Sequence, residues 1–210
     1  EVLSILWLLT TRELARLIKS HNIDLTSLQP ANYDRLMSEY SGAGAIFGVT
    51  GGVMEAAVRT SYYFITGERP PEPLFNLQPV RGLEGINIPS VGEIRVAVCS
   101  GMGNARPVLE AIQNGEKSWH FVEFMGCPGG CIAGGGQPRS ALPPSDEIRA
   151  LRMKALYSKD ERATIRLSYE NSEIQSIYKQ FLGEPCGERA HQLLHTHYQD
   201  RSIHFNKKKA

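Results

Sequence analysis

The sequence predicts an α/β protein in which a parallel sheet is flanked by helices and followed by a helical extension. An apolar strand over residues 94–99 precedes a helix over 105–114, and a second strand over 120–125 runs into a cysteine-containing loop. Two β–loop–α units in succession favour parallel strands with helices on the sheet faces. From Pro143 onward the pattern becomes mostly helical, which predicts the extension.

Composition places the chain among ordinary globular proteins and excludes several function classes. Of its 210 residues, 41% are hydrophobic and 21% are charged, so a real core can be buried. A formal net charge of +1 gives no sign of nucleic-acid binding. The longest apolar stretch, residues 2–9, is too short for a membrane span and lacks the flanks of a signal peptide.

The remaining elements follow from apolar periodicity and from residues that begin or end helices. Residues 2–9 are predicted to form a buried strand, and a helix over 12–20 follows, with Thr11 as its N-cap. A glycine-rich stretch over 41–52 leads into a helix over 53–67, for which Gly67 is the predicted C-cap. The remaining expectations are an extended connector at Pro70, Pro71 and Pro73, and helices over 146–158, 168–181 and 188–195.

The chemistry is expected in the loop that follows the second strand. Residues 123–138 read Glu-x-Met-x-Cys-x-x-x-Cys-x-x-Gly-Gly-Gly-Gln-Pro, with the cysteines at 127 and 131. Soft thiolates are suited to iron–sulfur ligation, and the Pro-Gly-Gly between them allows a tight turn. Gly134, Gly135 and Gly136 would let backbone N–H groups approach a cluster without Cβ clashes. Four cysteines in all are too few for a disulfide scaffold and indicate a reducing compartment.

Other reactive residues admit plainer interpretations. Cys99 ends a buried strand and is expected to be a core thiol, and Cys186 is expected to be a structural residue in a turn. Glu123 could either bond to backbone near the loop or move protons. His191, His195 and His197 are spaced like zinc ligands, or they belong to a structural C-terminal helix.

Taken together, these motifs resemble the catalytic domain of [FeFe] (iron-only) hydrogenases. The string over 123–138 resembles the third of that family's three cluster-binding signatures. Segments in the same order resemble other parts of the domain; they are residues 9–15, 44–56, 80–85, 181–185 and 194–198. The resemblance covers nearly the whole chain, from Leu9 to Tyr198, and implies that the α/β part is one lobe of that catalytic domain.

The resemblance implies specific roles around an H-cluster, a [4Fe–4S] cubane bridged to a diiron centre with CO, cyanide and a dithiolate. Cys127 and Cys131 would be two of the four cubane ligands, and the sulfur of Cys131 would bridge to the diiron half. Met125, Phe47 and Gly48 would line the diiron pocket. The expected cofactor-binding residues are Cys127, Cys131, Gly134, Gly135, Gly136 and Gln137.

The resemblance also predicts the organisation and the partners. Residues 1–142 would be the C-terminal lobe of the large-subunit domain, 143–205 a segment resembling the small subunit, and 206–210 a basic tail. The family's first two signatures are absent and Glu1 stands where Met would begin a chain, so we expect a fragment, a processed subunit or a partial gene product. The expected partners are the upstream half of the domain, a ferredoxin-type electron carrier and hydrogenase maturation proteins. The implied location is an anaerobe's cytoplasm or, in a eukaryote, the hydrogenosome.

Three functions remain open at this point. The first is reversible hydrogen oxidation by the complete enzyme, with this chain inactive alone. The second is a non-catalytic iron–sulfur assembly factor of the same fold, and the third is a hydrogen-sensing relative. Met125, the Gln137-Pro138 pair and the segment over 194–198 favour the hydrogenase over the assembly factor.

Overall fold

A computed structural model describes residues 8–32, 37, 39–78, 81, 86–87, 90–91, 94–139 and 145–200. The predicted strand over 2–9 lies outside these residues except for Leu8 and Leu9, which are not in a strand, and the predicted basic tail also lies outside them. The chain divides into two compact units, Glu1–Asn171 and Ser172–Ala210.

The first unit contains the sheet and most of the helices. Its helices are α1 (Thr11–Ser20), α2 (Gly42–Ile46), α3 (Gly52–Thr66), α4 (Ala105–Gln113) and α5 (Asp146–Glu161). Its strands are β1 (Ile86–Asn87), β2 (Ser90–Val91), β3 (Ile94–Ser100) and β4 (Phe121–Met125). Short 3₁₀ turns occur at Glu72–Phe75, Met102–Asn104, Cys131–Ala133 and Ser168–Glu170.

The predicted pair of parallel strands is confirmed. β3 and β4 run parallel with Val96 opposite Phe121 and Ser100 opposite Met125, so their carboxyl ends meet at one edge. β1 and β2, which the sequence pattern did not predict, pair antiparallel with β3 and make the sheet mixed. This common edge of β3 and β4 is where an α/β sheet places a ligand.

Two clusters of buried apolar side chains pack helices against the sheet and against the cysteine loop. Met54 and Val58 of α3 pack against Val96 and Val98 of β3, which fixes α3 on the sheet. A second cluster consists of Ile46, Val49, Ile132 and Tyr157, with Met153 and Leu156 of α5 packed against it. Through Ile132, the second cluster joins the cysteine loop to the segment over 46–49 and to α5.

The helix boundaries agree with the sequence pattern except at several ends. The N-cap of α1 is Thr10 and not Thr11, because Thr10 and Glu13 form a reciprocal capping box. Gly67 ends α3 in the left-handed conformation, as predicted. The extended connector was wrong for Glu72–Phe75, which forms a 3₁₀ turn because the fixed φ of proline also suits a first helical turn.

The predicted helix over 168–181 is interrupted. In the first unit, a 3₁₀ turn ends at Asn171, whose extended backbone stops the helix while its side chain donates to the carbonyl of Glu39 at 3.0 Å. The second unit consists of α6 (Ser172–Ile177), a π-helical turn at Tyr178–Leu182 and α7 (Glu188–Leu194).

A buried ionic cluster joins α3 and α5 to Arg81 and Arg166 within the first unit. Arg59 donates to Glu55 at 2.7 Å and to Asp160 at 2.9 Å, and all three side chains are fully buried. Arg81 donates to Glu55 at 2.6 Å and Arg166 to Asp160 at 2.7 Å. Burial alone would raise the pKa of Asp160, but its pairs with Arg59 and Arg166 hold that pKa below its ordinary value.

Candidate iron–sulfur site

The cysteine loop begins where β4 ends and turns back beside the end of β3. The amide of Gly101 donates to the carbonyl of Met125 at 2.8 Å, which joins the two strand ends. Beyond this point Cys127 and Cys131 are free thiols, and both are exposed. The segment between them turns sharply because Gly129 and Gly130 both have positive φ.

Three loops converge at this edge. The hydroxyl of Ser100, at the end of β3, accepts from the amide of Gly129 at 2.9 Å and from the hydroxyl of Thr50 at 3.3 Å. The amide of Thr50 donates to the carbonyl of Gly129 at 3.1 Å, and the amide of Ile132 donates to the carbonyl of Gly48 at 3.1 Å. Backbone bonds therefore hold the loop that carries Phe47 and Gly48 next to the cysteine loop.

Gly130 is the position where this close approach requires glycine. A Cβ there would lie 2.8 Å from the amide nitrogen of Thr50 and 2.9 Å from the carbonyl oxygen of Gly48. Both neighbours are backbone atoms, and φ at Gly130 is +93°, a value that side-chain-bearing residues rarely adopt. The absence of a side chain thus allows the two loops to touch.

Glu123 bonds to backbone, which was one of the two roles left open for it. Its carboxylate is buried and accepts from the amides of Gly51 at 2.6 Å and Met54 at 2.8 Å, at the N-terminus of α3. Burial raises the pKa of Glu123, and N–H groups of Gly51, Met54 and Val53 oppose that rise. Glu123 therefore ties the strand that leads to the cysteines to the glycine-rich loop before α3.

The residues predicted to line a diiron pocket lie around the loop edge. Met125 is half-buried at the end of β4, and Phe47 is exposed after α2. Gly48 is half-buried, and a Cβ there would lie 2.9 Å from the Leu156 side chain of α5. Hydrogen bonding between Gly48 and Ile132 makes Phe47 and Cys131 near neighbours in space.

The glycines after Cys131 form a turn whose backbone groups bond to other parts of the protein. The amide of Gly134 donates to the carbonyl of Cys131 at 3.0 Å, and the amide of Gln137 donates to the carbonyl of Gly134 at 3.1 Å. Arg12 at the start of α1 donates from its guanidinium to Gly135 at 2.6 Å and from its amide to Gly136 at 3.2 Å. The amide of Gly134 is thus already bonded within the turn.

The remaining candidate groups are Cys99, Cys186 and the C-terminal histidines. Cys99 is a buried core thiol, as predicted, and burial raises its pKa. In the second unit, Cys186 is exposed in the predicted turn before α7, and the rings of His191 and His195 are 4.3 Å apart. Within the part of the chain that the structure describes, no three His, Cys, Asp or Glu side chains are arranged to hold a metal ion, the three C-terminal histidines included.

Three residues that support the loop were missed by sequence reasoning. Ser100 directly follows the predicted strand over 94–99. A hydroxyl at the end of a buried apolar strand could have indicated a role at the sheet edge. Arg12 of α1 donates to a loop carbonyl 123 residues away, and Arg152 of α5 donates to loop carbonyls 20 and 14 residues away. No local pattern points to contacts at such separations.

The donor set fits half of an iron–sulfur cluster. Two exposed thiols four residues apart, on a turn whose backbone is fixed at several points, can ligate one cluster edge. A cubane takes four thiolate ligands, and the described residues do not gather more ligands at this edge.

Family models match the chain in two segments. Residues 4–135 match the model described as iron only hydrogenase large subunit, C-terminal domain. Residues 146–201 match the model described as iron hydrogenase small subunit. None of the helices among the described residues is long and apolar enough to cross a membrane.

Individual relatives agree with these models. The chain is 44% identical over 194 residues to the NADP-reducing hydrogenase subunit HndD of Solidesulfovibrio fructosivorans, covering 90% of this chain and 32% of that protein. It is 40% identical over 198 residues to iron hydrogenase 1 of Clostridium pasteurianum, covering 90% and 34%. It is also 30% identical over 197 residues to the mouse cytosolic iron-sulfur assembly component 3, covering 90% and 40%.

Solved structures extend the likeness to the fold. A structure of [FeFe]-hydrogenase HydA1 from Chlamydomonas reinhardtii matches with a TM-score of 0.63 and 39% identity, over 89% of this chain and 53% of that chain. The chain spans only about a third of the length of the two curated hydrogenases it matches. It belongs to the iron-only hydrogenase family and corresponds to the C-terminal part of the iron hydrogenase domain.

Proposed function

We propose that this chain is one half of an H-cluster site in an [FeFe] hydrogenase that interconverts protons and hydrogen gas with a ferredoxin-type electron carrier. The proposal rests on the two exposed thiols of Cys127 and Cys131 at the aligned ends of β3 and β4. Backbone bonds from Gly48 and Thr50 hold that loop against the segment carrying Phe47. The hydrogenase relatives support the same assignment.

In this proposal each residue has a limited task. Cys127 and Cys131 would hold the cubane, and Cys131 would be the thiolate ligand shared with the diiron centre. Met125, Phe47 and Gly48 line the diiron pocket and exclude water from it, while the cluster supplies the electron and hydride chemistry. The turn formed by Gly134, Gly135, Gly136 and Gln137 would complete the cofactor-binding loop.

The proposed organisation has three parts and needs partners. Residues 1–142 form the large-subunit lobe, 143–205 the segment resembling the small subunit, and 206–210 a basic tail. The other cubane ligands come from an upstream half of the catalytic domain, and maturation proteins deliver the diiron centre. The chain alone, treated with maturation proteins and reduced methyl viologen, is therefore expected to evolve no hydrogen.

A second candidate function is supported by the assembly-factor relatives. The mouse assembly component is 30% identical to this chain, so an iron–sulfur role without hydrogen chemistry shares the same fold. Met125 and the Gln137-Pro138 pair favour the hydrogenase. A hydrogen-sensing relative would share the same site.

The experiment compares cysteine variants in the presence of an upstream half of the domain and maturation proteins. Cys131→Ala is expected to abolish both the infrared bands of the diiron centre and hydrogen evolution. Cys186→Ala, which removes an equally exposed thiol from the second unit, is expected to leave both unchanged. Cubane signals without diiron bands in the wild type would favour the assembly factor, and unchanged bands in Cys131→Ala would contradict the ligand assignment.

A further inference from the structure

One guanidinium of α5 bonds to the loop on either side of the Gly-Gly-Gly turn. Arg152 donates from Nη1 to the carbonyl of Ile132 at 2.7 Å and from Nη2 to the carbonyl of Pro138 at 2.9 Å. Ile132 directly follows Cys131, and Pro138 ends the motif. A planar guanidinium with two nitrogens engaged fixes the distance between these two carbonyls more strictly than a single ammonium can.

The peptide next to Cys131 is consequently held from both sides. The amide of Ile132 donates to the carbonyl of Gly48 at 3.1 Å, while its carbonyl accepts from Arg152. The Ile132 side chain is buried against Met153 and Leu156 of α5. Cys131 itself is exposed, so its direction is set by this fixed neighbour and not by packing around the thiol.

We infer that Arg152 is a positioning residue that aims the sulfur of Cys131 at its cluster, and this inference rests on the proposed function. Arg152 lies in the segment that matches the small-subunit model, whereas the cysteine loop lies in the segment that matches the large-subunit model. The small-subunit segment thus contributes directly to the geometry of the ligand loop. It does so without placing a side chain on the cluster.

The first test measures the loop in the chain as it exists, without a cluster. Amide hydrogen exchange is followed at Ile132, Ala133, Gly134 and Gln137, whose amides all bond within or beside the loop. Arg152→Gln is expected to speed exchange at these amides about tenfold, the effect of losing about 1.4 kcal/mol of local hydrogen bonding. Arg152→Lys, which keeps the charge but not the planar fork, is expected to restore only part of the protection.

Arg162→Gln is the matched control. Arg162 is an exposed arginine at the end of the same helix, and its guanidinium donates to the carbonyl and the hydroxyl of Ser158 at 3.1 and 2.6 Å. In the Arg162→Gln variant, the amides of the cysteine loop are expected to exchange as in the wild type. Unchanged loop exchange in Arg152→Gln, or an equal increase throughout β3 and α3, would overturn a specific positioning role.

The second test uses the assembled site with an upstream half of the domain. The electron paramagnetic resonance spectrum of the reduced cubane is expected to broaden in Arg152→Gln and to stay unchanged in Arg162→Gln, because only the former alters the Cys131 geometry. A wild type that assembles no cluster would overturn the proposed function and the inference with it. A wild type that assembles a cluster, beside an Arg152→Gln variant with the same spectrum and exchange rates, would overturn the inference alone.

Discussion

The buried ionic cluster and the cysteine loop both lie in the first unit. Contacts between charged side chains stabilise the cluster, whereas contacts between backbone atoms stabilise the loop. In the ionic cluster, long charged side chains from distant segments meet where water is excluded, as with Arg59 and Asp160. In the loop, the thiols are exposed and the contacts run between backbone atoms at positions such as Gly130, where a side chain would not fit. Stability and the proposed cluster ligation therefore depend on separate residues.

This difference has an energetic consequence. Removing one member of the ionic cluster leaves an unpaired buried charge, which costs far more than the pair contributes in net terms. Removing a loop thiol leaves no buried group without a partner, because Cys127 and Cys131 are exposed. Mutations of the first kind should unfold the protein, and mutations of the second kind should only remove its chemistry.

Asp160→Asn is expected to have the largest effect on stability. It leaves Arg59 and Arg166 facing an uncharged amide in the interior, and we expect a loss of about 3–5 kcal/mol in the free energy of unfolding. Asp146→Asn is the control, because Asp146 is exposed and pairs with Arg149 on the helix surface. Its expected loss is below about 1 kcal/mol. Equal losses in urea titrations of the two variants would contradict the special role of the ionic cluster.

The same aspartate predicts a pH dependence. Because the folded-state pKa of Asp160 is lowered, its ionised form contributes stability that is present above its unfolded value of 3.8 and is lost as pH falls through the folded value. Wild-type stability should therefore fall below pH 3.8 more steeply than that of Asp160→Asn. Parallel curves for the two proteins in this range would contradict the assignment.

Gly130→Ala is expected to rank next. The added methyl group would press on the backbone of Thr50 and Gly48, and alanine would be strained at a φ of +93°. Strain and overpacking together predict a loss of about 3 kcal/mol in the free energy of unfolding and separation of the two loops. Gly115→Ala is the control, since it shares a positive φ of +68° but has open space around its Cβ. A similar loss in both variants would show that strain alone, and not the close approach, matters at Gly130.

Glu123→Gln tests the hydrogen bonds that tie β4 to the start of α3. Both carboxylate oxygens accept from backbone amides, at Gly51 and at Met54, whereas glutamine offers a single oxygen. One buried amide would then face an NH₂ group, so we expect a loss of about 1–3 kcal/mol in the free energy of unfolding. Faster amide exchange at Gly51 and Met54 would accompany it. Wild-type stability in the variant would show that this carboxylate does not hold the loop.

Local pattern predicted the parts of the fold whose causes are local. The apolar run ending at Cys99 and the strand before the cysteines became β3 and β4, and the left-handed Gly67 ended α3. The two-residue strands β1 and β2 are too short to leave a periodic signal in the sequence. Their pairing depends on β3, which is paired with β4 as well as with both short strands.

The site shows the same division. The motif over 123–138 predicted both thiols as ligands, because ligand spacing is a local property, and that role stays a prediction. The arginines that hold the loop were missed, since Arg12 and Gly135 are 123 residues apart in the chain. Arg59 and Asp160 are likewise 101 residues apart, and only the fold brings them together.

The smallest predicted effect concerns the helix start where sequence and structure differ by one residue. Thr10 accepts from the amide of Glu13 at 3.3 Å, and the Glu13 carboxylate accepts from the amide and the hydroxyl of Thr10, both at 2.8 Å. Thr10→Ala removes this cap and is expected to cost about 1 kcal/mol in the free energy of unfolding.

Thr10 also packs on Gly136, where a Cβ would come within 2.7 Å of it, so loosening α1 should also loosen the glycine turn. Exchange at the Gln137 amide should therefore rise slightly. Thr11→Ala, at the exposed first helical position, should change stability by less than about 0.5 kcal/mol. If Thr11→Ala proved the more damaging of the two, the cap would lie where the sequence pattern predicted it, and the contact of α1 with the cysteine loop would lose its anchor at Thr10.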